Sequence, residues 1–147
     1  MEKDCQYLSW ENAPIGPLLG HAAHLARERM DVRLARYDVT PAQTHVLLYL
    51  GEQSGPTPQR DVVEHLRVKP PTANGILDRL EEKKLICRRA DPEDLRQKRV
   101  CLTEKGRELR VRLQNAFQEG AALTLHGLSE EETAVLRGLL NRIIQNL

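Results

Sequence analysis

Residues 59–102 constrain the fold most, because their apolar spacing changes along the chain from that of helices to that of strands. Val62, Val63 and Leu66 predict a short helix over residues 59–67. A second helix is predicted to start at Pro70, where a missing amide hydrogen costs little, and its apolar positions are Ala73, Ile76, Leu77 and Leu80. Two short helices joined by a tight turn predict a helix-turn-helix.

Two runs that favour strands follow the second helix, at residues 85–90 and 99–102. They flank Asp91 and Pro92, a pair that favours a turn. These runs predict a two-stranded hairpin over residues 85–102, which we call the wing.

Longer helices are predicted on both sides of this unit. Apolar residues repeat with helical spacing over residues 14–37, Thr40 begins a capped second helix, and another helix follows Thr103. Ser129 opens a capping box for the last helix. We therefore expect a mostly α-helical fold with a small β-hairpin wing (α+β), a winged helix-turn-helix in a single domain over residues 1–147.

Composition argues against several other classes of protein. Hydrophobic residues make up 40% and charged residues 29% of the 147 residues, which is typical of a folded chain. No apolar run is long enough to span a membrane and the start of the chain carries acidic residues, so we expect a cytoplasmic protein with no membrane partner. The three cysteines are too scattered for a disulfide framework or a zinc site, so we expect free thiols, no metal and no cofactor.

Basic side chains are concentrated in the wing and just before it, which is typical of a surface that binds duplex DNA. The outward face of the second helix offers hydrogen-bonding side chains for base edges and prolines for thymine methyl groups. Arg96 lies near the expected wing tip, where a guanidinium suits the narrow minor groove. The predicted DNA contacts are Lys69, Pro70, Pro71, Thr72, Asn74, Arg79, Arg88, Arg96, Lys98 and Arg99.

Two stretches resemble the MarR family of transcriptional regulators. They are QRDVVEHLRVKPPTANGILDRLEEKKLICRR at residues 59–89 and DPEDLRQKRVCLTEKG at residues 91–106. The second stretch is the more specific, because it combines Asp-Pro, Asp-x-Arg and a hydrophobic-x-Leu-Thr-x-x-Gly pattern ending at Gly106. The resemblance extends over nearly the whole chain.

The resemblance implies a homodimer that binds a pseudo-palindromic operator, acts as a repressor and is released by a small molecule or an oxidant. Residues 1–37 and 104–147 would supply the dimerisation helices, and residues 38–103 the DNA-binding lobe. The apolar residues expected in the dimer interface are Leu123, Leu125, Leu128, Leu136, Leu139, Leu140, Ile143, Ile144 and Leu147.

The sequence departs from the family pattern at three places. Gly75 stands where many members carry a side chain that contacts DNA. Lys84 stands where a glycine commonly ends the recognition helix, so the chain must turn there without the residue that turns most easily. Ile15 and Gly16 occupy the region in which peroxide-sensing members carry a reactive cysteine.

Candidate sensor residues fall into two groups. His21, His24, Arg27 and His45 lie where the family binds a small aromatic or anionic effector, although isolated histidines are usually surface or packing residues. Cys87 and Cys101 lie on the two wing strands, close enough to be neighbours, and their oxidation would distort the hairpin, although the sequence favours two unreactive thiols.

Two other functions compete with a DNA-binding regulator. A winged-helix module that binds an acidic protein would use the same basic wing but would have no operator. A thiol enzyme would depend on Cys5 with a distant histidine, but no oxyanion loop or orienting carboxylate accompanies them, so we expect no enzymatic activity.

Overall fold

Six α-helices and three short strands follow one another in the computed structural model, which describes residues 9–147. A single 3₁₀ turn, Trp10–Asn12, precedes them. In chain order the elements are α1 Ile15–Ala35, α2 Pro41–Glu52, β1 Thr57–Pro58, α3 Gln59–Leu66, α4 Pro70–Glu82, β2 Ile86–Ala90, β3 Lys98–Leu102, α5 Glu104–Thr124 and α6 Glu130–Gln145. The mostly α-helical winged fold is confirmed.

Helix starts follow the capping signals of the sequence. The Thr40 hydroxyl accepts a hydrogen bond from the Gln43 backbone N–H at 3.2 Å, and the Gln43 side chain accepts one from the Thr40 N–H at 3.2 Å. Ser129 and Glu132 form the same reciprocal pair at the start of α6. Each cap satisfies amide groups that a helix start leaves unpaired, which fixes where α2 and α6 begin.

The predicted wing hairpin is present as the antiparallel pair β2 and β3, and a third strand extends it to a sheet in the order β1-β3-β2. The added strand is Thr57–Pro58, whose residues pair with Val100 and Arg99 of β3. A two-residue strand is too short for alternation to reveal, and its proline hides the signal further. This strand ties the start of α3 to the wing.

One apolar core joins α2, α3, α4, the wing and the middle of α5. The inward face predicted for α4 is confirmed, because Ala73, Leu77 and Leu80 are fully buried. The wing contributes Ile86 and Val100, which are also buried. Packing on both the helices and the wing holds α4 at a fixed position relative to the wing.

The two terminal helices, α1 and α6, bury few of their residues, although Leu34 and Met30 of α1 pack on this core. Leu34 is the sole buried residue of α1, and α6 has none. Large apolar side chains of both helices are exposed instead: Ile15, Leu25 and Val32 in α1, and Val135, Leu136, Leu139 and Ile144 in α6. Both terminal helices therefore keep apolar side chains exposed in the single chain.

An aromatic contact joins the segment before α1 to that helix. The Trp10 ring stacks on the His21 imidazole with centroids 3.9 Å apart and an angle of 5° between planes. Cys5, the residue required by the thiol-enzyme alternative, lies outside the described residues. Within residues 9–147, no helix is long and apolar enough to cross a membrane.

Candidate nucleic-acid interface

The exposed face of α4 carries the predicted base-contacting residues. Pro71, Thr72, Asn74 and Arg79 are exposed, whereas Ala73, Leu77 and Leu80 on the other face of the helix are buried. Lys69 caps the helix with extended backbone angles, and Pro70 takes the first helical position. The polar side chains therefore project outward, Thr72 and Asn74 from the first two turns of α4 and Arg79 from its last turn, as the sequence predicts.

A groove of about 700 Å³ separates α4 from the wing tip. It brings together five of the ten predicted DNA contacts: Pro70, Asn74, Arg88, Arg96 and Lys98. We call this the α4–wing groove. The remaining predicted residues, Lys69, Pro71, Thr72, Arg79 and Arg99, are not among the residues that line it.

Six residues that line the α4–wing groove were not predicted. Gln59 and Arg60 lie in the first turn of α3, and the others are Val63, Glu64, Asp78 and Gln97. The Gln59 side-chain amide donates a hydrogen bond to Asn74 Oδ1 at 3.2 Å, so α3 orients the central polar residue of α4. The place of Gln59 and Arg60 in the sequence could have identified them, because the first turn of α3 must lie beside the start of α4 in a helix-turn-helix.

Arg88 is held by α4 instead of pointing freely into solvent. Its guanidinium is bound to Asp78 at 2.5 Å and also to Glu81, and 15% of its side chain is exposed. Burial opposes the charged form, but hydrogen bonds to Glu81 and Asp78 outweigh it and raise the pKa of Arg88. Arg88 thus couples the wing to α4.

Arg99 forms a similar ion pair on the opposite face of the wing. Its Nε lies 3.0 Å from an oxygen of Asp91, the residue that begins the wing turn. A hydrogen bond from the Glu93 backbone N–H and the contact with Arg99 together lower the pKa of Asp91. This ion pair fixes the base of the turn.

The wing tip itself presents unpaired cations. The Asp94 carboxylate accepts a hydrogen bond from the Arg96 backbone N–H at 3.0 Å, so it shapes the tip and leaves the guanidinium exposed. Lys98 is exposed beside it. Neither Arg96 nor Lys98 forms an ion pair within residues 9–147, so both charges remain available to a phosphate.

The four predicted effector residues are not gathered around one cavity. His21 stacks on Trp10, His24 lies 3.4 Å from Glu28, and both Arg27 and His45 are exposed. A cavity of about 530 Å³ between α1 and α5 is lined by Met30, Arg33 and Gly120 among others, and by none of the four.

Cys87 and Cys101 lie directly opposite each other in β2 and β3. Their Cα atoms are 5.5 Å apart and the structure joins their sulfur atoms in a disulfide, so the expectation of free thiols was wrong for this pair. Strand register explains the difference, because it places the two positions directly opposite each other across the hairpin.

A MarR family model matches residues 37–97 of this chain. MepR from S. aureus, solved in complex with DNA, is 31% identical, and the match covers 92% of this chain and 100% of MepR with a TM-score of 0.79. The chain belongs to the MarR family.

Two further structures agree with a MarR-family fold. The transcriptional regulator SlyA is 27% identical over 91% of this chain and 94% of its own, with a TM-score of 0.75. A cysteine-to-serine mutant of MarR from E. coli is 24% identical over 90% and 97% of the two chains, with a TM-score of 0.74, and supports the fold. The chain is thus a winged-helix regulator of the MarR family.

Proposed function

We propose that this MarR-family regulator binds duplex DNA sequence-specifically as a homodimer and represses transcription from a pseudo-palindromic operator. One observation carries the proposal: the exposed polar face of α4 and the unpaired cations of the wing tip border the same α4–wing groove. This arrangement suits a helix in the major groove with a wing reaching toward the adjacent minor groove.

Each predicted contact has a distinct task in this proposal. Thr72 and Asn74 hydrogen-bond to base edges, and Pro70 and Pro71 pack on thymine methyl groups. Arg96 enters the minor groove. The remaining predicted contacts, which position the protein on the phosphates, are Lys69, Arg79, Arg88, Lys98 and Arg99. Since Arg88 and Arg99 already hold carboxylates, we expect them to contribute less than Arg96 and Lys98.

The similarity to MepR supports DNA binding by this chain, because MepR was solved in complex with DNA and the match covers its whole length. The proposal requires no metal, cofactor or catalytic residue. Among the described residues, no group of three or more His, Cys, Asp and Glu side chains is placed to hold a metal ion.

A homodimer would cover the exposed faces of the terminal helices. In this proposal residues 1–37 and 104–147 form the dimerisation helices, while residues 38–103 form the DNA-binding lobe. The apolar side chains of α6 have no covering element within the described chain. Burying them against a second copy is favourable by about 25 cal/mol per Å² of apolar surface.

Release from DNA would follow a change in the spacing of the two α4 helices, which must match about 34 Å between half-sites. A small aromatic or anionic effector near His21, His24, Arg27 and His45 is one signal. Oxidation of Cys87 and Cys101 is the other, because a bond between β2 and β3 restricts the wing.

The function is tested by measuring affinity for a mixed-sequence duplex as a function of salt. Arg96→Ala should weaken binding about tenfold and reduce the slope of log K against log salt by roughly 1, because one phosphate-neutralising charge is lost. Arg36→Ala is the matched control, since it removes an exposed arginine at the end of α1, outside the lobe.

Equal affinity and slope for wild type and Arg96→Ala would remove the wing from DNA binding. Failure of the wild type to bind any duplex would favour the alternative of a winged-helix module that binds an acidic protein.

A further inference from the structure

The Cys87–Cys101 disulfide lies on the side of the wing that faces away from α4. Their neighbours in the strands, Ile86 and Val100, are buried in the core, and side chains alternate between the two faces of a strand. Both cysteines are partly exposed. Solvent and small reagents can therefore reach this bond without entering the α4–wing groove.

The disulfide lines a cavity of about 800 Å³ that three arginines also line: Arg89 from β2, and Arg107 and Arg110 from α5. We call it the disulfide cavity. The loop between α2 and β1 forms its other wall, including Gln53 and Ser54. No acidic side chain lines the cavity. Three guanidinium groups beside a disulfide, with no carboxylate, make a strongly electropositive site.

The three arginines of the disulfide cavity form few hydrogen bonds and no ion pairs with the described residues. Arg89 and Arg110 form no hydrogen bond or ion pair with any described residue, whereas Arg88, on the opposite face of β2, binds two carboxylates. Arg107 donates one hydrogen bond, to the Leu102 carbonyl at 3.0 Å. Arg110 packs on Gly51 so closely that a Cβ there would overlap its guanidinium, which holds that group in place.

We infer that the disulfide cavity recruits small thiols bearing an anionic group, such as a carboxylate or sulfonate, which exchange with Cys87–Cys101. The arginines attract the anionic end of the reagent and so raise its concentration beside the disulfide. The same charges stabilise each cysteine thiolate as it leaves. The α4–wing groove plays no part in this chemistry.

Thiol–disulfide exchange reduces the Cys87–Cys101 bond in two steps. A reagent thiolate attacks one protein sulfur, breaking the Cys87–Cys101 bond and forming a mixed disulfide, while the other cysteine leaves as a thiolate. A second reagent thiolate attacks the reagent sulfur of the mixed disulfide, releasing the oxidised reagent dimer and the second cysteine. The protein gains two electrons, two reagent thiols are oxidised to one disulfide, and solvent protonates the cysteines.

The test measures the rate of Cys87–Cys101 reduction in the full chain carrying Cys5→Ser, by trapping new thiols with an alkylating reagent and counting them by mass. The reagents are mercaptoethanesulfonate, mercaptoethanol and aminoethanethiol, which differ in charge at the end remote from sulfur. The double variant Arg89→Gln with Arg107→Gln removes two exposed charges of the cavity. Arg36→Gln with Arg142→Gln removes two exposed charges elsewhere and is the matched control.

The ratio of the sulfonate rate to the mercaptoethanol rate should fall about fivefold in the cavity variant, because part of the electrostatic steering is lost. It should be unchanged in the control pair. In wild type, raising the ionic strength from about 10 mM to about 1 M should reduce the ratio to a similar extent, as the Debye length shortens. Comparing ratios between variants cancels the intrinsic reactivity of each reagent.

Equal ratios in wild type and the cavity variant, a ratio that does not respond to salt, or failure of the two cysteines to form a disulfide would each overturn the inference. No DNA is present in the assay, so its failure and a failure of the proposed DNA binding are distinguishable. An effect of exchange on operator affinity, by contrast, rests on the proposed function.

Discussion

Gly106, in the first turn of α5, packs against the backbone carbonyl of Leu85, and a Cβ at position 106 would overlap that oxygen. Thr103 secures the same junction: its backbone N–H donates to the Leu85 carbonyl at 3.1 Å and its hydroxyl donates to the Lys84 carbonyl at 2.7 Å. The Gly106 N–H in turn donates to the Thr103 hydroxyl at 3.0 Å. The Leu-Thr-x-x-Gly pattern therefore joins α5 to the base of the wing.

Replacing Gly106 with alanine should lower the free energy of unfolding by about 2–3 kcal/mol, because the backbone must move to admit the methyl group. Gly75→Ala is the matched control: nothing lies within 4 Å of a Cβ there, so alanine should raise stability by up to about 1 kcal/mol. Urea unfolding followed by circular dichroism measures both. Similar effects at the two positions would contradict the close packing at Leu85.

Arg88→Gln should act mainly on stability. Loss of the bonds to Asp78 and Glu81 should cost about 1–2 kcal/mol of unfolding free energy, because the two carboxylates lose a charged hydrogen-bond donor. DNA affinity should fall by a similar factor for every sequence, since α4 loses its anchor to the wing. Unchanged stability together with altered preference at one base pair would instead make Arg88 a direct base contact.

Lys84→Gly should stabilise the chain by roughly 0.5–1 kcal/mol, because Lys84 adopts a left-handed backbone conformation with φ of 60°. Glu82, two residues earlier, is helical and serves as the control. Glu82→Gly should destabilise the chain by about 1 kcal/mol, because glycine is a poor helix former. Thermal and urea unfolding should show Lys84→Gly to be more stable, and Glu82→Gly less stable, than the wild type. A loss of stability in Lys84→Gly would show that the turn does not strain this residue.

Two substitutions on α6, Leu139→Glu and Ile144→Glu, should convert a dimer into monomers in sedimentation velocity, because buried carboxylates would oppose the proposed interface. Leu139 and Ile144 are 47% and 65% exposed in the single chain. Leu95→Glu is the control, being 80% exposed at the wing tip. Dimers that survive both α6 substitutions would place the interface elsewhere.

Local signals in the sequence predicted much of the fold. The capping pairs at Thr40 and Ser129, the buried face of α4 and the positions of the wing strands all depend on neighbours within a few residues, so periodicity and capping chemistry reveal them. The turn after α4 without glycine is confirmed by the positive φ of Lys84. Strand β1 was missed because two residues carry no periodicity.

The site was less predictable, because its contacts join residues distant in sequence. The basic wing sequence placed Arg88 and Arg99 among the predicted DNA contacts, whereas in the fold Asp78, Glu81 and Asp91 already hold them in ion pairs. The register that makes Cys87 and Cys101 partners also depends on the length of the wing turn. Charge along a chain predicts where a basic surface lies, but not which of its charges are already paired.

Selection of bound duplexes from a random DNA library at about 150 mM salt, read by sequencing, tests the central proposal most directly. We predict enrichment of an inverted repeat whose half-sites lie about one helical turn, 34 Å, apart, because two α4 helices in a symmetric dimer must enter successive major grooves. Enrichment of a single half-site, or no enrichment at all, would contradict a dimeric, sequence-specific regulator.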